Sequence, residues 1–171
     1  MKKQTHTVQN AIEPFVQEQN LSVIFETLYP LLSTQGKKEV KQFWKENGEA
    51  LTPETFNTIC NIAKDITGID IREAKNRNKE TTLAQFLVSF ALYHEFVVCK
   101  KATLKSICQQ YMPSIKHSQI LYAVNAIEKS MHLETVFTLV HKFALELEAK
   151  GFGNCNRRVI VKRMENAMEK N

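Results

Sequence analysis

T-L-K-S-I-C-Q-Q-Y-M-P-S-I-K-H-S-Q-I-L-Y-A-V-N-A-I-E-K, residues 103–129, is the stretch whose reading decides the fold. Its first nine residues suit a short helix capped by Thr103. Met112, Pro113 and Ser114 then make a turn, with the proline ring fixing the corner without leaving an N–H unpaired. A second helical run opens on Lys116, His117, Ser118 and Gln119, all of which carry hydrogen-bonding groups. Ile120, Val124 and Ile127, with Leu121 beside them, are predicted to hold that run on a core. Two helices joined by a tight turn, the second beginning polar and basic, is the arrangement by which a helix-turn-helix presents side chains to the major groove.

Upstream of this stretch lies the basic segment I-R-E-A-K-N-R-N-K, from Ile71 to Lys79. Thr82-x-x-Gln85 then predicts a capping box for a helix with Leu83, Phe86, Leu87, Phe90 and Ala91 inward. H-E-F-V-V-C-K-K connects that helix to Thr103. Further back, Thr52 and Pro53 open a helix with Phe56, Ile59, Ile62, Ala63 and Ile66 on one face, and Gly68 closes it. Gly36 is predicted to break the chain ahead of a short helix marked by Val40, Phe43 and Trp44. Two apolar stripes come first, one through Val8, Ile12, Phe15 and Val16. The other runs through Leu21, Ile24, Phe25, Leu28, Leu31 and Leu32. Downstream, Leu133, Val136, Phe137, Val140, Phe143, Ala144 and Leu147 give the cleanest amphipathic pattern. Gly151-Phe152-Gly153 then leads into a basic helix with Ile160, Met164, Ala167 and Met168 on one side. The whole divides into a helical region 1–69, the helix-turn-helix region 70–130 and a helical extension 131–171.

Charge follows that division. The chain has 23 Lys/Arg against 18 Asp/Glu, a net +5. Residues 1–69 carry seven against eight, residues 70–130 nine against five, and residues 131–171 seven against five. The excess sits on the helix-turn-helix and its tail, as an electrostatic footprint for phosphate would. No apolar run approaches the ~18 residues needed to span a bilayer, and the two N-terminal lysines have no apolar block behind them. A cytoplasmic location, in a bacterial or phage-infected cell, is expected. Cys60, Cys99, Cys108 and Cys155 form no C-x-x-C pair and are expected to be reduced thiols. His94, Cys99, Cys108 and His117 match no compact zinc spacing. No nucleophile, base and orienting acid cluster, so neither a cofactor nor an enzyme is expected.

The run K-H-S-Q-I-L-Y-A-V-N-A-I-E closely resembles the signature D-H-[ST]-T-V-L-x-A-x-x-x-I-E of the C-terminal DNA-binding domain of the bacterial replication initiator DnaA. K-N-R-N-K-E-T-T-L-A-Q-F-L-V-S-F-A-L-Y-H-E resembles that domain's basic box and long helix, and T-L-K-S-I-C-Q-Q-Y resembles its S-L-x-x-I-G-x-x-F. The resemblance covers residues 70–130. It implies an all-α fold with a Trp-repressor-like helix-turn-helix that reads bases in the major groove while a basic loop reaches the minor groove. It also implies base contacts from His117 and Ser118, with Lys75, Arg77 and Lys79 in the basic loop. Lys116 stands where the family has aspartate, Ile115 where it has arginine, and Gln119 where it has threonine. The chain lacks the G-x-x-x-x-G-K-[ST] loop of the initiator's ATPase module.

The expected fold is therefore an all-α multi-helix domain with a central DnaA-domain-IV-like helix-turn-helix. The expected function is non-enzymatic double-stranded DNA binding in replication or transcription control, in a phage or mobile-element setting. Its candidate contacts are Lys75, Arg77, Lys79, Lys101, Thr103, Lys105, Ser114, Lys116, His117, Ser118 and Gln119. Arg157, Arg158, Lys162 and Arg163 suit a solvated face as well as they suit a second phosphate contact. The alternative is a structural or adaptor protein that kept the fold without DNA binding, its C-terminal helices meeting a protein partner. Single-strand or RNA binding is disfavoured by the scarcity of aromatic residues in the basic regions.

Overall fold

Among residues 29–47, 51–75 and 78–169, which a computed structural model of the protein describes, every regular element is helical, as the periodicity predicts. The stripes through Val8 and through Leu21 to Leu28 lie outside the described residues. Leu31 ends a 3-10 turn, Tyr29–Leu31, and is exposed. Helix α1, Thr34–Asn47, begins two residues before Gly36 rather than after it. Ser33 Oγ accepts the Gly36 N–H at 3.1 Å, so a serine supplies the start that the glycine was expected to interrupt. Val40 is buried, while the side chains of Phe43 and Trp44 fall outside the described residues.

Helix α2, Pro53–Thr67, has the ends its sequence marks. Thr52 Oγ1 accepts the Thr55 N–H at 3.2 Å, and Pro53 occupies the first helical position. Gly68 closes it at φ 76°, donating its N–H to the Lys64 carbonyl at 2.7 Å. That left-handed backbone is available to glycine at no steric cost. Phe56, Ile59, Cys60, Ile62 and Ala63 are buried.

Helix α3, Lys79–Leu92, starts earlier than the Thr82 capping box predicts. Asn78 is the cap, its Oδ1 accepting the Thr81 N–H at 2.7 Å. Asparagine ranks with the best capping residues, and it adds one further turn to the helix. Ala84, Leu87, Val88, Ser89, Phe90, Ala91 and Leu92 are all buried, a run too continuous for one face. A helix apolar on every side belongs inside. It packs on α2 and on two later helices, and Leu83 is left at the surface.

The segment expected to connect α3 to Thr103 is instead a π-helical turn, Tyr93–Val97, continuing α3 directly and burying His94, Glu95 and Phe96. Helices α4, Leu104–Gln110, and α5, His117–Lys129, follow. Then come α6, Glu134–Ala149, and α7, Asn154–Met168, which pack on each other as a hairpin. Gly151 turns the chain between them at φ 94°, and Phe152 packs against the core near Phe96. One hydrophobic cluster draws on α2 through α7, with Phe90 and Phe143 fully buried in it. Each such ring contributes about 2–3 kcal/mol of burial free energy. None of the described helices is long and apolar enough to cross a membrane.

Candidate nucleic-acid interface

Thr103 caps α4 reciprocally: its Oγ1 accepts the Ser106 N–H at 3.0 Å, and Ser106 Oγ accepts the Thr103 N–H at 3.1 Å. The turn that follows is pinned from inside. Met112 is buried, and its N–H and that of Tyr111 both reach the Ile107 carbonyl. Tyr111 Oη donates to the Leu51 carbonyl at 2.9 Å, and its ring lies 5.0 Å from that of Phe56. Ile115, where the resembled family has arginine, is buried and anchors the exit of the turn. Pro113 and Ser114 stay exposed between these anchors.

The first turn of α5 then emerges at the surface. Lys116, His117 and Ser118 are exposed, and Gln119 is half-buried. Gln119 Oε1 accepts the Lys116 N–H at 2.8 Å, so its oxygen closes the helix start rather than facing outward. No acidic residue lies in that turn, which leaves the positive end of the helix dipole uncompensated. Behind it, Ile120, Ala123, Val124 and Ile127 are buried, as the pattern predicts. Leu121 is not with them: at 39% exposure it lies on the outer face, one residue off the inward stripe, beside Tyr122 at 66%. Both follow the polar first turn at helical spacing, a signal that the sequence itself carries.

The basic segment divides in two. Arg72 is committed to the protein: it holds Asp70 bidentately at 2.8 and 2.6 Å and reaches Asn57 Oδ1 at 3.0 Å and Asn61 Oδ1 at 2.6 Å. That guanidinium holds the Asp70 carboxyl down at about 2. The effect is to fasten the segment after Gly68 onto α2. Lys75 and Lys79 are exposed with no ion pair among the described residues, and Arg77 lies outside those residues. The fastened segment and the turn before α5 form the two walls of a groove of about 440 Å³, lined among others by Lys75, Thr81, Gln85 and Ser114. Lys75 and Ser114, far apart in the chain, thus face one cleft. Lys105 is exposed on α4; Lys101 is half-buried, and its charge acts on Glu95.

The C-terminal cations are used differently. Arg158 holds Glu128 at 2.8 and 3.0 Å. Arg163 donates to the Met131 carbonyl and to Glu134, and its guanidinium lies 4.6 Å above the Phe137 ring. Lys162 meets Glu165 at 3.2 Å. A cluster that no local pattern announced lies beneath them. His94 Nε2 is 3.1 Å from Glu128 Oε1, close but off-line for a direct hydrogen bond. Burial alone would raise the Glu128 carboxyl, yet the His94 ring and the Arg158 guanidinium outweigh it and hold it at about 2. Burial pushes Glu95, which follows His94 in the chain, up to about 7, although its Oε1 accepts the Cys155 N–H at 2.8 Å.

All four cysteines are free thiols in buried positions, and burial pushes Cys60 up to about 12, far from nucleophilic character. Among the described residues no three His, Cys, Asp or Glu gather as metal ligands. Comparison with family models, curated proteins and solved structures finds no match to this chain.

Proposed function

We propose that this chain is a non-enzymatic double-stranded DNA-binding protein that lays the first turn of α5 in the major groove. The observation carrying this reading is the outward placement of Lys116, His117 and Ser118 on a helix start without any acid, together with the exposed Lys75, Lys79 and Lys105, which meet no carboxylate among the described residues. Phosphate contacts position a protein on the duplex, and base contacts specify the sequence. Lys75, Lys79, Lys105 and Ser114 suit the first role. His117 and Ser118 suit the second, with Lys116 able to address phosphate or guanine. The resemblance of residues 70–130 to the C-terminal domain of DnaA supports the same reading. It points to replication or transcription control in the cytoplasm of a bacterial or phage-infected cell.

Fluorescence anisotropy with a selected duplex and a random one, across a salt series, tests it. Lys116→Ala should weaken both and lower the salt slope by about one. His117→Ala should narrow the gap between the two duplexes by about 1–3 kcal/mol. Unchanged binding by both variants removes α5 from the interface.

A second reading is supported by one surface. Ile160, Val161, Met164 and Met168 make an exposed apolar stripe on α7, with the two methionines at 60% and 68%. Such a stripe suits an adaptor that meets a protein partner. Salt-insensitive or absent duplex binding would favour it.

A further inference from the structure

Tyr122 lies on the outer face of α5 at 66% exposure. It stands one helical turn beyond Ser118, so the two side chains share a face of the helix. Its ring is nevertheless not loose. Phe86 of α3 meets it edge-to-face, with centroids 5.9 Å apart and planes at 77°. That geometry is the favoured one for an aromatic pair, and it props the ring outward from below. The phenol hydroxyl makes no hydrogen bond among the described residues. A rigid, solvated, largely apolar group has thus been placed next in line after the polar turn.

We propose that Tyr122 is a specificity-determining residue that packs its ring against a thymine C5-methyl group in the major groove, its hydroxyl donating to a phosphate oxygen. This rests on the DNA-binding reading above and extends it from polar to apolar recognition. The major-groove edge of a base pair offers one apolar group, the thymine methyl, so a supported aromatic ring on the reading face has one complementary target there. Phe86 acts as a positioning residue: it touches no base and fixes the ring that does. Leu121, on the neighbouring line of the helix, borders a separate cavity with His94, Asn125 and Glu128 and does not share the Phe86 support.

The test compares a short duplex enriched from a random pool by the wild-type protein with the same duplex carrying uracil at every thymine position. The wild type and Tyr122→Phe should each lose about fourfold in affinity on the uracil duplex, the value of one buried methyl. Tyr122→Ala should bind the thymine duplex more weakly than the wild type and should treat the two duplexes alike. An unchanged thermal midpoint for Tyr122→Ala identifies the loss as one of contact rather than folding. If Tyr122→Ala keeps the full preference for thymine, or the wild type has none, the assignment of Tyr122 is overturned while DNA binding stands. If the wild type enriches no duplex at all, the DNA-binding reading falls and the assignment with it.

Discussion

Arg158, Lys162 and Arg163 in the α6–α7 hairpin each meet a carboxylate, whereas Lys75, Lys79, Lys105 and Lys116 around the helix-turn-helix meet none among the described residues. In sequence the two regions look alike: both are basic, and both mix cations with apolar residues at helical spacing. In space Arg158 and Arg163 tie α7 to α5 and to the start of α6, and Lys162 pairs within α7, while the other set is left in solvent. A cation held by a largely buried carboxylate, as Arg158 is by Glu128, has little to give a phosphate, because leaving its partner would strand that charge. The lesson is that positive charge marks a nucleic-acid surface only after internal pairing has been subtracted. Arg72 makes the same point inside the basic segment, where its fork is filled by Asp70 and two asparagines.

Breaking the internally paired region should produce the largest effects, and on stability. Glu128→Ala leaves Arg158 and His94 facing a vacated, partly buried site. Urea unfolding should show a loss of about 3 kcal/mol. A loss below the usual scatter of surface substitutions would mean that the cluster does not hold α5 to α7.

Next in size is a pH effect. Glu95 is raised in the folded protein, so the native state binds its proton more tightly than the unfolded chain does. The protein is therefore most favoured, from this group, below the ordinary carboxylate range, and it loses up to about 3 kcal/mol as pH rises from 4.5 to about 7. Glu95→Gln should remove that slope, keeping an acceptor for the Cys155 N–H without the ionisation. Glu128 and Asp70 act in the opposite sense: both are held at about 2, and their contribution is lost as pH falls toward that value from 4.5 for Glu128 and from 3.8 for Asp70. A pH series of unfolding midpoints for wild type and Glu95→Gln separates the two trends.

Arg163→Ala should cost about 1–2 kcal/mol, from the bond to the Met131 carbonyl and the contact with the Phe137 ring, and should leave duplex affinity unchanged. Weaker duplex binding by this variant would place α7 in the interface and blur the contrast between the regions.

The two helices on either side of Pro113 were legible because their signals are local. Thr103 caps α4, Pro113 marks the turn, and Ile120, Val124 and Ile127 repeat at helical spacing; each lies where that reading puts it. The start of α3 was displaced because two capping signals compete within five residues, and Asn78 prevails over Thr82. Hydrophobicity alone puts Leu121 inward, although its phase on the helix lies one residue off the buried stripe. The meeting of His94, Glu128 and Arg158 could not be read at all. Its members come from the π-helical turn, α5 and α7, and only in space does the buried His94 ring come up to the carboxylate that Arg158 holds.

The central claim is that unpaired cations beside α5, and not the paired ones of α7, carry the encounter with DNA. The most direct measurement is the salt dependence of duplex affinity for the wild type and for the combined Lys75, Lys79, Lys105 and Lys116 to Ala variant. Each phosphate contact contributes a slope of about −0.9 in log affinity against log salt, so the variant should flatten the dependence by about three to four. An identical slope for the two proteins, with the variant still folded, would contradict the account.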